Sequence, residues 1–319
     1  MKPISIIVDC DPGIDDTIAL LTAFVSPELN ILGITPVCGN QPLERTVRNA
    51  LQVCELGGRP DIPVFAGCFR PMLREPIHGQ FHGKTGLGNT VLQEPEKVAE
   101  SKSAVDFLID SLSEAARTGE CITLCCLGPM TNLAVALRMK PQIAEGIERI
   151  VMMGGAYREA GNRTMTSEFN MLADPHAAHV VFSSGIPLVA LALDATHQVM
   201  LKPEHVAEFS RVSGRISQTL AELMAFWDRN DVRRYGSRGG PLHDPLVMAY
   251  ILAPHLFVTE KARVFVEHES ELCMGQTIAD WYGKSGLEPN ADIVTKVDAE
   301  GVIAFFLERL SRYAEEAVA

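Results

Sequence analysis

The feature that most constrains the fold is an alternation of short, β-branched apolar runs with longer segments of helical periodicity. Continuous apolar strands separated by helices are typical of a parallel sheet that is covered by helices on both faces. We therefore expect one α/β domain over residues 1–319, with a mostly parallel, Rossmann-like open sheet. The expected strands are Ile4–Val8, Ile31–Val37, Pro63–Ala66, Ile122–Leu127, Ile150–Met153 and Leu188–Leu193. The expected helices are Asp15–Val25, Leu43–Leu56, Ser103–Ala116, Met130–Met139, Pro175–Ser184 and Leu246–Leu252.

Two segments interrupt this alternation and are interpreted as loop insertions. Residues 69–102 are rich in proline, glycine and charge, with HGQFHGKTGLGN at their centre. Residues 202–241 begin with helical character and end in the polar stretch DVRRYGSRGGP. Because ligands bind at the carboxyl ends of strands in open α/β sheets, residues that directly follow an expected strand are the first candidates for function.

Charge and composition argue against several classes of protein. The formal net charge of −12 disfavours general nucleic-acid binding, which usually needs a basic face. No apolar stretch approaches the roughly 20 residues of a membrane helix, and the N-terminus lacks the pattern of a signal peptide. The eight cysteines include no paired CxxC motifs, so we expect reduced thiols in a cytoplasmic protein.

Four aspartates fall within DCDPGIDDT, residues 9–17, directly after the first expected strand. Like charges this close are costly unless water, hydrogen bonds or a cation compensates them. Helix capping explains one or two aspartates of the following helical turn, but it explains Asp9 and Asp11 at the strand end poorly. A hard divalent cation would neutralise the cluster, and calcium fits better than magnesium if further protein oxygens arrive from elsewhere.

Further candidates follow other apolar runs. His243 could donate a proton near neutral pH, and Asp244 could bind a cation or merely cap the next helix. Asn40 lies at another strand end, and the Leu127 carbonyl precedes a glycine and a proline that would free it from a regular ladder to bind a cation. Ordinary turn chemistry explains Asn40 and Leu127 equally well.

The stretch SEFNMLADP, residues 167–175, contains another candidate pair. If this segment is extended, Glu168 and Asn170 point to the same side, where a carboxylate and an amide would suit a vicinal diol. A polar loop is an equally good explanation. Asp174, which precedes a proline, is assigned to the start of a helix.

Taken in order, these segments resemble the nucleoside hydrolase family, the inosine-uridine-preferring N-ribohydrolases, over nearly the whole chain. The motifs that carry the resemblance are DCDPGIDDTIAL from residue 9, CGN at 38–40, HGKTGLG at 82–88, LGPMTNLA at 127–134, VMMGGAY at 151–157, EFNMLADPHAAHVVF at 168–182, LDATHQ at 193–198 and HDPL at 243–246. The first motif together with the last four is highly specific.

The resemblance implies calcium-dependent hydrolysis of the N-glycosidic bond of ribonucleosides, giving free base and ribose through an oxocarbenium-like transition state. Asp11 matches the general base that takes a proton from the attacking water. His243 matches the acid that protonates the leaving nucleobase, and His82 matches a second histidine near the nucleobase. Asp9 has no matched role and is expected to support the turn. The matched calcium ligands are Asp11, Asp16, Asp244 and the Leu127 carbonyl, and the matched substrate-binding positions are Asp15, Asn40, His82, Glu168, Asn170 and Asp244.

The base-side loop departs from the family pattern. Positions at which some members carry tyrosines correspond to Asp231 and Trp227, with Tyr235 nearby. Arg233, Arg234 and Arg238 also make the loop more charged than an aromatic clamp. Pyrimidine or mixed nucleosides are the expected substrates, with a modified or polar base left open, and the resemblance implies a homodimer or homotetramer.

Two other functions compete with this interpretation. A haloacid-dehalogenase-like phosphatase also has a DxD motif after its first strand, but it leaves the EFN and HDP segments unexplained. A non-catalytic, calcium-dependent nucleoside-binding protein would use the same residues without turnover.

Overall fold

The apolar runs of the sequence form neighbouring strands of one sheet. The computed structural model describes residues 2–79, 81–212, 214–235 and 239–315, without the side chains at 212, 227–235 and 315. In chain order the strands are β1 (Ile4–Cys10), β2 (Leu29–Pro36), β3 (Ile122–Cys126), β4 (Ile147–Met153), β5 (Leu188–Leu191), β6 (Met200–Leu201), β7 (Gly240–Pro241), β8 (Phe257–Val266), β9 (Thr277–Asp280) and β10 (Ala291–Val297).

The main sheet has the order β2-β1-β3-β4-β5-β10-β8-β9 among the described residues. The first six of these strands are parallel, and β8 and β9 add an antiparallel edge. The short strands β6 and β7 pair with each other. This is the predicted α/β class with a mostly parallel open sheet, and the prediction is confirmed.

Helices cover both faces of the sheet. They are α1 (Ile14–Phe24), α2 (Leu43–Leu56), α3 (Ala104–Thr118), α4 (Thr131–Met139), α5 (Phe169–Ala173), α6 (Pro175–Phe182), α7 (Leu193–Thr196), α8 (Pro203–Val212), α9 (Ser217–Tyr235), α10 (Pro245–Leu252) and α11 (Ala299–Glu315). The predicted helices are present with ends that differ by a few residues at most. In the parts of the chain that are described, no helix is both long and apolar enough to cross a membrane.

The structure corrects two local predictions. The predicted strand Pro63–Ala66 is wrong: Val64 and Phe65 form only isolated bridges beside the edge of the sheet, and Pro63 has no N–H to donate to a ladder. The polar end of the segment 202–241 is helical up to Tyr235, because α9 continues through it. The segment 69–102 is irregular over its described residues, as expected for an insertion.

Alternation along β1 divides the core into two parts. Ile6, Val8 and Cys10 pack into the layer that contains α1, whereas Ile7 packs into the layer on the opposite face, with α3, α4 and α6. Every residue of α1 is buried, including its two aspartates. Each of the eight cysteines is a free thiol, as predicted.

The strand order determines where a ligand can bind. The chain leaves β1 to form β2 on one side and later adds β3 on the other side, so β1 and β3 flank a point at which the connections diverge. At such a switch point, loops from adjacent strands separate and open a crevice at the carboxyl ends. Asp11 follows β1 and Leu127 follows β3, so both lie at this crevice.

Candidate active site

The turn between β1 and α1 is closed by Asp16. Its two carboxylate oxygens accept the backbone N–H groups of Asp11 at 3.1 Å and of Gly13 at 2.9 Å. The N–H of Gly13 at the start of a helix would otherwise have no partner, so Asp16 acts as one half of a capping box. Helix capping therefore accounts for one aspartate of the cluster.

A second contact brings the HDP segment to this turn. Helix α10 packs against α1, and carboxylate oxygens of Asp15, Asp16 and Asp244 all lie within 4.8 Å of one another. Asp244 is the residue before α10, but its side chain makes no capping hydrogen bond there. The alternative role of Asp244 as a simple helix cap is therefore not supported, and the fold directs it to the other aspartates.

Asp11 occupies a narrow slot at the ends of β2 and β3. One of its oxygens accepts the backbone N–H of Asn40 at 2.6 Å, and the Asn40 amide donates to the Asp11 carbonyl at 3.3 Å. A Cβ added at Gly39 or at Gly128 would come within 2.1 Å or 2.4 Å of an Asp11 carboxylate oxygen. The two glycines thus leave the space that the carboxylate fills, a role that the sequence analysis did not assign to them.

The electrostatics of the cluster favour proton or cation binding. Burial raises the pKa of Asp15 and of Asp16 to about 6, and the Asp15 charge adds to the effect on Asp16. Burial and then the charge of Asp16 hold the pKa of Asp11 well above its usual range. Burial, followed by the charges of Asp15 and Asp16, does the same to the pKa of Asp244. Because each of these carboxylates is costly to ionise alone, the site needs a positive charge to hold them ionised at neutral pH.

Asp9 differs from the other aspartates because it lies within β1 rather than after it. Its carboxylate accepts hydrogen bonds from the Thr35 hydroxyl at 2.6 Å and from the Asn132 amide at 2.8 Å. Asn132 in turn accepts the backbone N–H of Cys68 at 2.7 Å. Burial raises the pKa of Asp9 to about 7. These contacts join β1, β2 and α4 below the site, which is consistent with the structural role predicted for Asp9.

Glu168 and Asn170 do not lie in an extended segment, so the condition under which both side chains would point to the same side is not met. Glu168 precedes the short helix α5, and its carboxylate accepts the backbone N–H groups of Asn170 and Met171 at 2.9 and 3.2 Å. The same carboxylate accepts the N–H of Gly155, at the end of β4, at 3.1 Å. A helical turn forms here because these hydrogen bonds satisfy its first N–H groups.

Asn170 reaches the candidate cation site from α5. Its amide donates to the Leu127 carbonyl at 2.7 Å and to the Met153 carbonyl at 3.1 Å. The Leu127 N–H donates to the Asp9 carbonyl at 2.7 Å, which fixes the turn after β3. The structure therefore brings Leu127 and Asn170 together, with a second lone pair of the Leu127 carbonyl left for another partner.

His82 lies beside the N-terminus of α1. Its Nδ1 accepts the backbone N–H of Ile14 at 3.1 Å and lies 3.7 Å from a carboxylate oxygen of Asp15. Burial lowers the pKa of His82 to about 4. The ring is therefore neutral at neutral pH and carries its proton on Nε2, where it can donate a hydrogen bond.

His243 lies between β7 and α10, one residue before Asp244. Its Nδ1 is 2.9 Å from the hydroxyl of Thr196, which is buried in α7, and its ring centroid is 6.1 Å from that of His197. Thr196 has no role predicted from the sequence, although it belongs to the LDATHQ motif that follows β5. The predicted base-side positions Trp227, Asp231, Arg233, Arg234 and Tyr235 have side chains outside the described part of the chain, and Arg238 lies outside it entirely.

The donor set of this site fits a divalent cation. The Asp15, Asp16 and Asp244 carboxylates could hold a metal ion, and one buried oxygen of Asp11 and one of Asp15 have no hydrogen-bond partner in the described structure. Buried carboxylate oxygens without a partner are destabilising unless a proton or an ion compensates them. A cluster made only of carboxylate and carbonyl oxygens suits calcium, magnesium or manganese.

Comparison with known proteins identifies the same family as the motifs. The family described as "Inosine-uridine preferring nucleoside hydrolase" matches residues 6–304. A protein named pyrimidine-specific ribonucleoside hydrolase RihA, from Salmonella gallinarum, is 41% identical over 311 residues, which cover 97% of this chain and 99% of that protein.

Solved structures give the same result at the level of the fold. The purine-preferring ribonucleoside hydrolase from Gardnerella vaginalis superposes with a TM-score of 0.90 at 32% identity, covering 98% of this chain and 99% of that chain. A plant nucleoside hydrolase superposes with a TM-score of 0.89 at 32% identity, covering 97% and 99%.

Proposed function

This chain belongs to the inosine-uridine preferring nucleoside hydrolase family, and we propose that it uses one calcium ion at the ends of β1 and β3 to cleave ribonucleosides. As a ribonucleoside hydrolase, it acts on the N-glycosidic bond and releases the base. Family membership favours this over the two competing functions, phosphatase and non-catalytic binding protein. What we propose beyond family membership is the identity of the metal, the roles of single residues and the preferred nucleobase.

The observation that carries the proposal is the group of buried carboxylates, in which Asp11 and Asp15 each have one oxygen without a hydrogen-bond partner among the described residues. We assign Asp11, Asp16, Asp244 and the Leu127 carbonyl to the ion, as the family resemblance implies, and the neighbouring Asp15 to the sugar. Calcium takes six to eight oxygen ligands in flexible geometry, about the number that these groups and a ribose diol would supply. When bound, calcium supplies a Lewis acid that orients the diol and makes the attacking water more acidic.

The protein's own residues then divide the chemistry. Asp11 takes a proton from the attacking water, and its position between Gly39 and Gly128 holds its carboxylate in one orientation. Asp15, Asn40, Glu168 and Asn170 bind the ribose hydroxyls. Since cleavage places positive charge on the sugar, the surrounding carboxylates stabilise the transition state electrostatically.

Two histidines act on the side of the base. His243 donates a proton to the departing base, and the Thr196 hydroxyl, which can donate to its Nδ1, would leave that proton on Nε2. His82 is neutral and donates a hydrogen bond from Nε2, because its Nδ1 is already occupied by the Ile14 N–H. His82 thus binds the base without supplying a full proton.

We propose a preference for pyrimidine nucleosides. The support is the 41% identity to a hydrolase named pyrimidine-specific, against 32% to one named purine-preferring. A panel of uridine, cytidine, inosine and adenosine, assayed for released ribose, measures the preference. A larger kcat/KM for inosine than for uridine would contradict it. The oligomer is proposed to be a homodimer or homotetramer, which light scattering after gel filtration distinguishes.

The proposed mechanism is tested by Asp11→Asn, with Asp9→Asn as the matched control two residues away. Asp11→Asn removes the general base and one ion ligand, so uridine hydrolysis should fall by at least about 1,000-fold, while circular dichroism stays that of the wild type. Asp9→Asn keeps an acceptor for Thr35 and Asn132 and should retain activity within a few-fold.

Calcium dependence is tested separately, by assaying wild-type protein with a chelator and after addition of calcium or magnesium. Activity should disappear with the chelator and return with calcium. Near-normal turnover by Asp11→Asn, or full activity with the chelator after dialysis, would contradict the proposal.

A further inference from the structure

Three histidines lie together outside the candidate active site. His176 and His179 are three residues apart on α6, so their side chains occupy the same face of the helix. His268 follows the end of β8 and lies against both of them. Its ring centroid is 4.2 Å from that of His179 and 5.5 Å from that of His176.

The hydrogen bonding of this cluster leaves imidazole nitrogens available to a ligand. The Nδ1 of His268 is 3.1 Å from the Val266 carbonyl, and since a carbonyl can only accept, this Nδ1 carries the proton. The Nε2 of His268 therefore has a free lone pair. The Nδ1 of His176 is buried and has no hydrogen-bond partner within the described residues. A histidine that binds a metal through one ring nitrogen usually donates the N–H of its other ring nitrogen to a carboxylate, a backbone carbonyl or water.

We propose that His176, His179 and His268 bind a borderline divalent cation such as Zn²⁺, at a site separate from the aspartate cluster. Imidazole nitrogens suit zinc, nickel and copper, whereas the carboxylate and carbonyl oxygens of the active site suit calcium or magnesium. The two sites therefore select different ions by the chemistry of their donors. A water molecule would complete the tetrahedral coordination of zinc.

Binding requires that side chains of the cluster rotate, because the rings of His179 and His268 lie 4.2 Å apart at an interplanar angle of 33°. As placed, no choice of one ring nitrogen from each histidine brings the three nitrogens within 4.8 Å of one another. Among the described residues, only the aspartate cluster meets this condition. His179 is exposed, so its ring can rotate without disturbing the core. His268 follows a strand end and is held by one hydrogen bond, whereas His176 is half-buried.

The bound ion would tie α6 to the segment after β8. That segment already contacts the start of α5, because the Ser167 hydroxyl donates to the Met274 carbonyl at 2.6 Å. Glu168, which caps α5, is the next residue. Zinc at the histidine cluster would therefore stabilise the region that carries the proposed sugar-binding residues, without touching the reacting atoms.

The experiment is isothermal titration of Zn²⁺ into calcium-saturated protein, for the wild type, His179→Ala and His268→Ala. The matched control is His255→Ala, an exposed histidine outside the cluster. We expect one zinc ion per chain at the cluster, with an affinity that each cluster variant lowers at least tenfold and His255→Ala leaves unchanged. The exposed Cys121 is present in every variant, so zinc bound to this thiol would persist in all of them.

Thermal unfolding provides a second measurement. Zinc should raise the Tm of the wild type and of His255→Ala, but not of the two cluster variants, because only a ligand of the folded state stabilises it. Calcium-dependent uridine hydrolysis in the absence of zinc should be equal in all four proteins, which shows that each is folded. Equal zinc affinity in the wild type and both cluster variants, or no zinc binding by the wild type, would overturn the proposal. Neither result bears on the aspartate site.

Discussion

Asp9 and Asp11 are two residues apart but have different surroundings. Asp9 lies inside β1 and binds Thr35 and Asn132, whereas Asp11 lies beyond the strand and binds Asn40. Asp9 thus joins three elements through one of its oxygens, whereas Asp11 is held by the loop after β2. Each of the two carboxylates keeps a second buried oxygen without a hydrogen-bond partner among the described residues. The difference arises from position in the strand, not from residue type.

The contribution of Asp9 to stability can be measured with two substitutions. Asp9→Ala removes the acceptor of two buried hydrogen bonds, so it should lower the free energy of unfolding by about 2–4 kcal/mol. Asp9→Asn retains a carbonyl acceptor and should cost less than half as much. Urea denaturation of both variants is the measurement. Equal losses would show that the charge of Asp9, and not its hydrogen bonds, stabilises the fold.

At the scale of elements, the short helix α5 joins the sugar-binding segment to the sheet. Glu168 accepts N–H groups from two residues of α5 and one from Gly155. Burial raises the pKa of Glu168 to about 7, although these hydrogen bonds act in the opposite direction. The residue therefore has a structural function as a cap besides its proposed contact with ribose.

Glu168→Gln tests whether Glu168 binds the sugar in addition to capping α5. The glutamine amide would face a backbone N–H, so we expect a loss of about 1–3 kcal/mol in unfolding free energy together with a large rise in KM for uridine. Ser103→Ala is the control, because Ser103 caps α3 by accepting the Asp106 N–H, and its loss should cost about 1 kcal/mol without changing KM. An unchanged KM in Glu168→Gln would exclude a role in sugar binding.

At the scale of the whole molecule, the buried carboxylates connect stability to pH and to calcium. The raised pKa values, about 6 for Asp15 and Asp16 and about 7 for Asp9 and Glu168, mean that these four carboxylates bind more protons in the folded state than in the unfolded chain above about pH 4. Without a bound ion, the contribution of these carboxylates to stability therefore falls as the pH rises from about 4 to about 7. Calcium binds the ionised carboxylates and opposes this fall.

Thermal unfolding should show both effects. With a chelator, the Tm should be lower at about pH 7.5 than at about pH 5, and calcium should raise it more at the higher pH, where protons no longer compete. Asp244→Asn removes one charge of the cluster and should reduce both the pH dependence and the calcium shift. A Tm that rises with pH in the chelator, or a calcium shift independent of pH, would contradict the assignment of these carboxylates to the ion.

Local patterns in the sequence were sufficient for most of the parallel sheet and its helices. The strands β8–β10 were missed because half-buried strands such as FVTEKARVFV carry charged residues that weaken the apolar signal. The helix α5 was not predicted, because its stability comes from a side-chain cap and from a contact with Gly155, 13 residues before Glu168.

The sequence by itself determined the alternating α/β architecture, the placing of polar residues after strands and, through its motifs, the family. Those features depend on local periodicity and on residue order, which a linear chain displays directly. Only the tertiary structure decided that Asp244 meets Asp15 and Asp16, that Asn170 reaches the Leu127 carbonyl, and that Asp9 turns away from the site. The reason is that strand order and helix packing bring together residues that are 43 to 229 positions apart, and no local pattern encodes the distance between them.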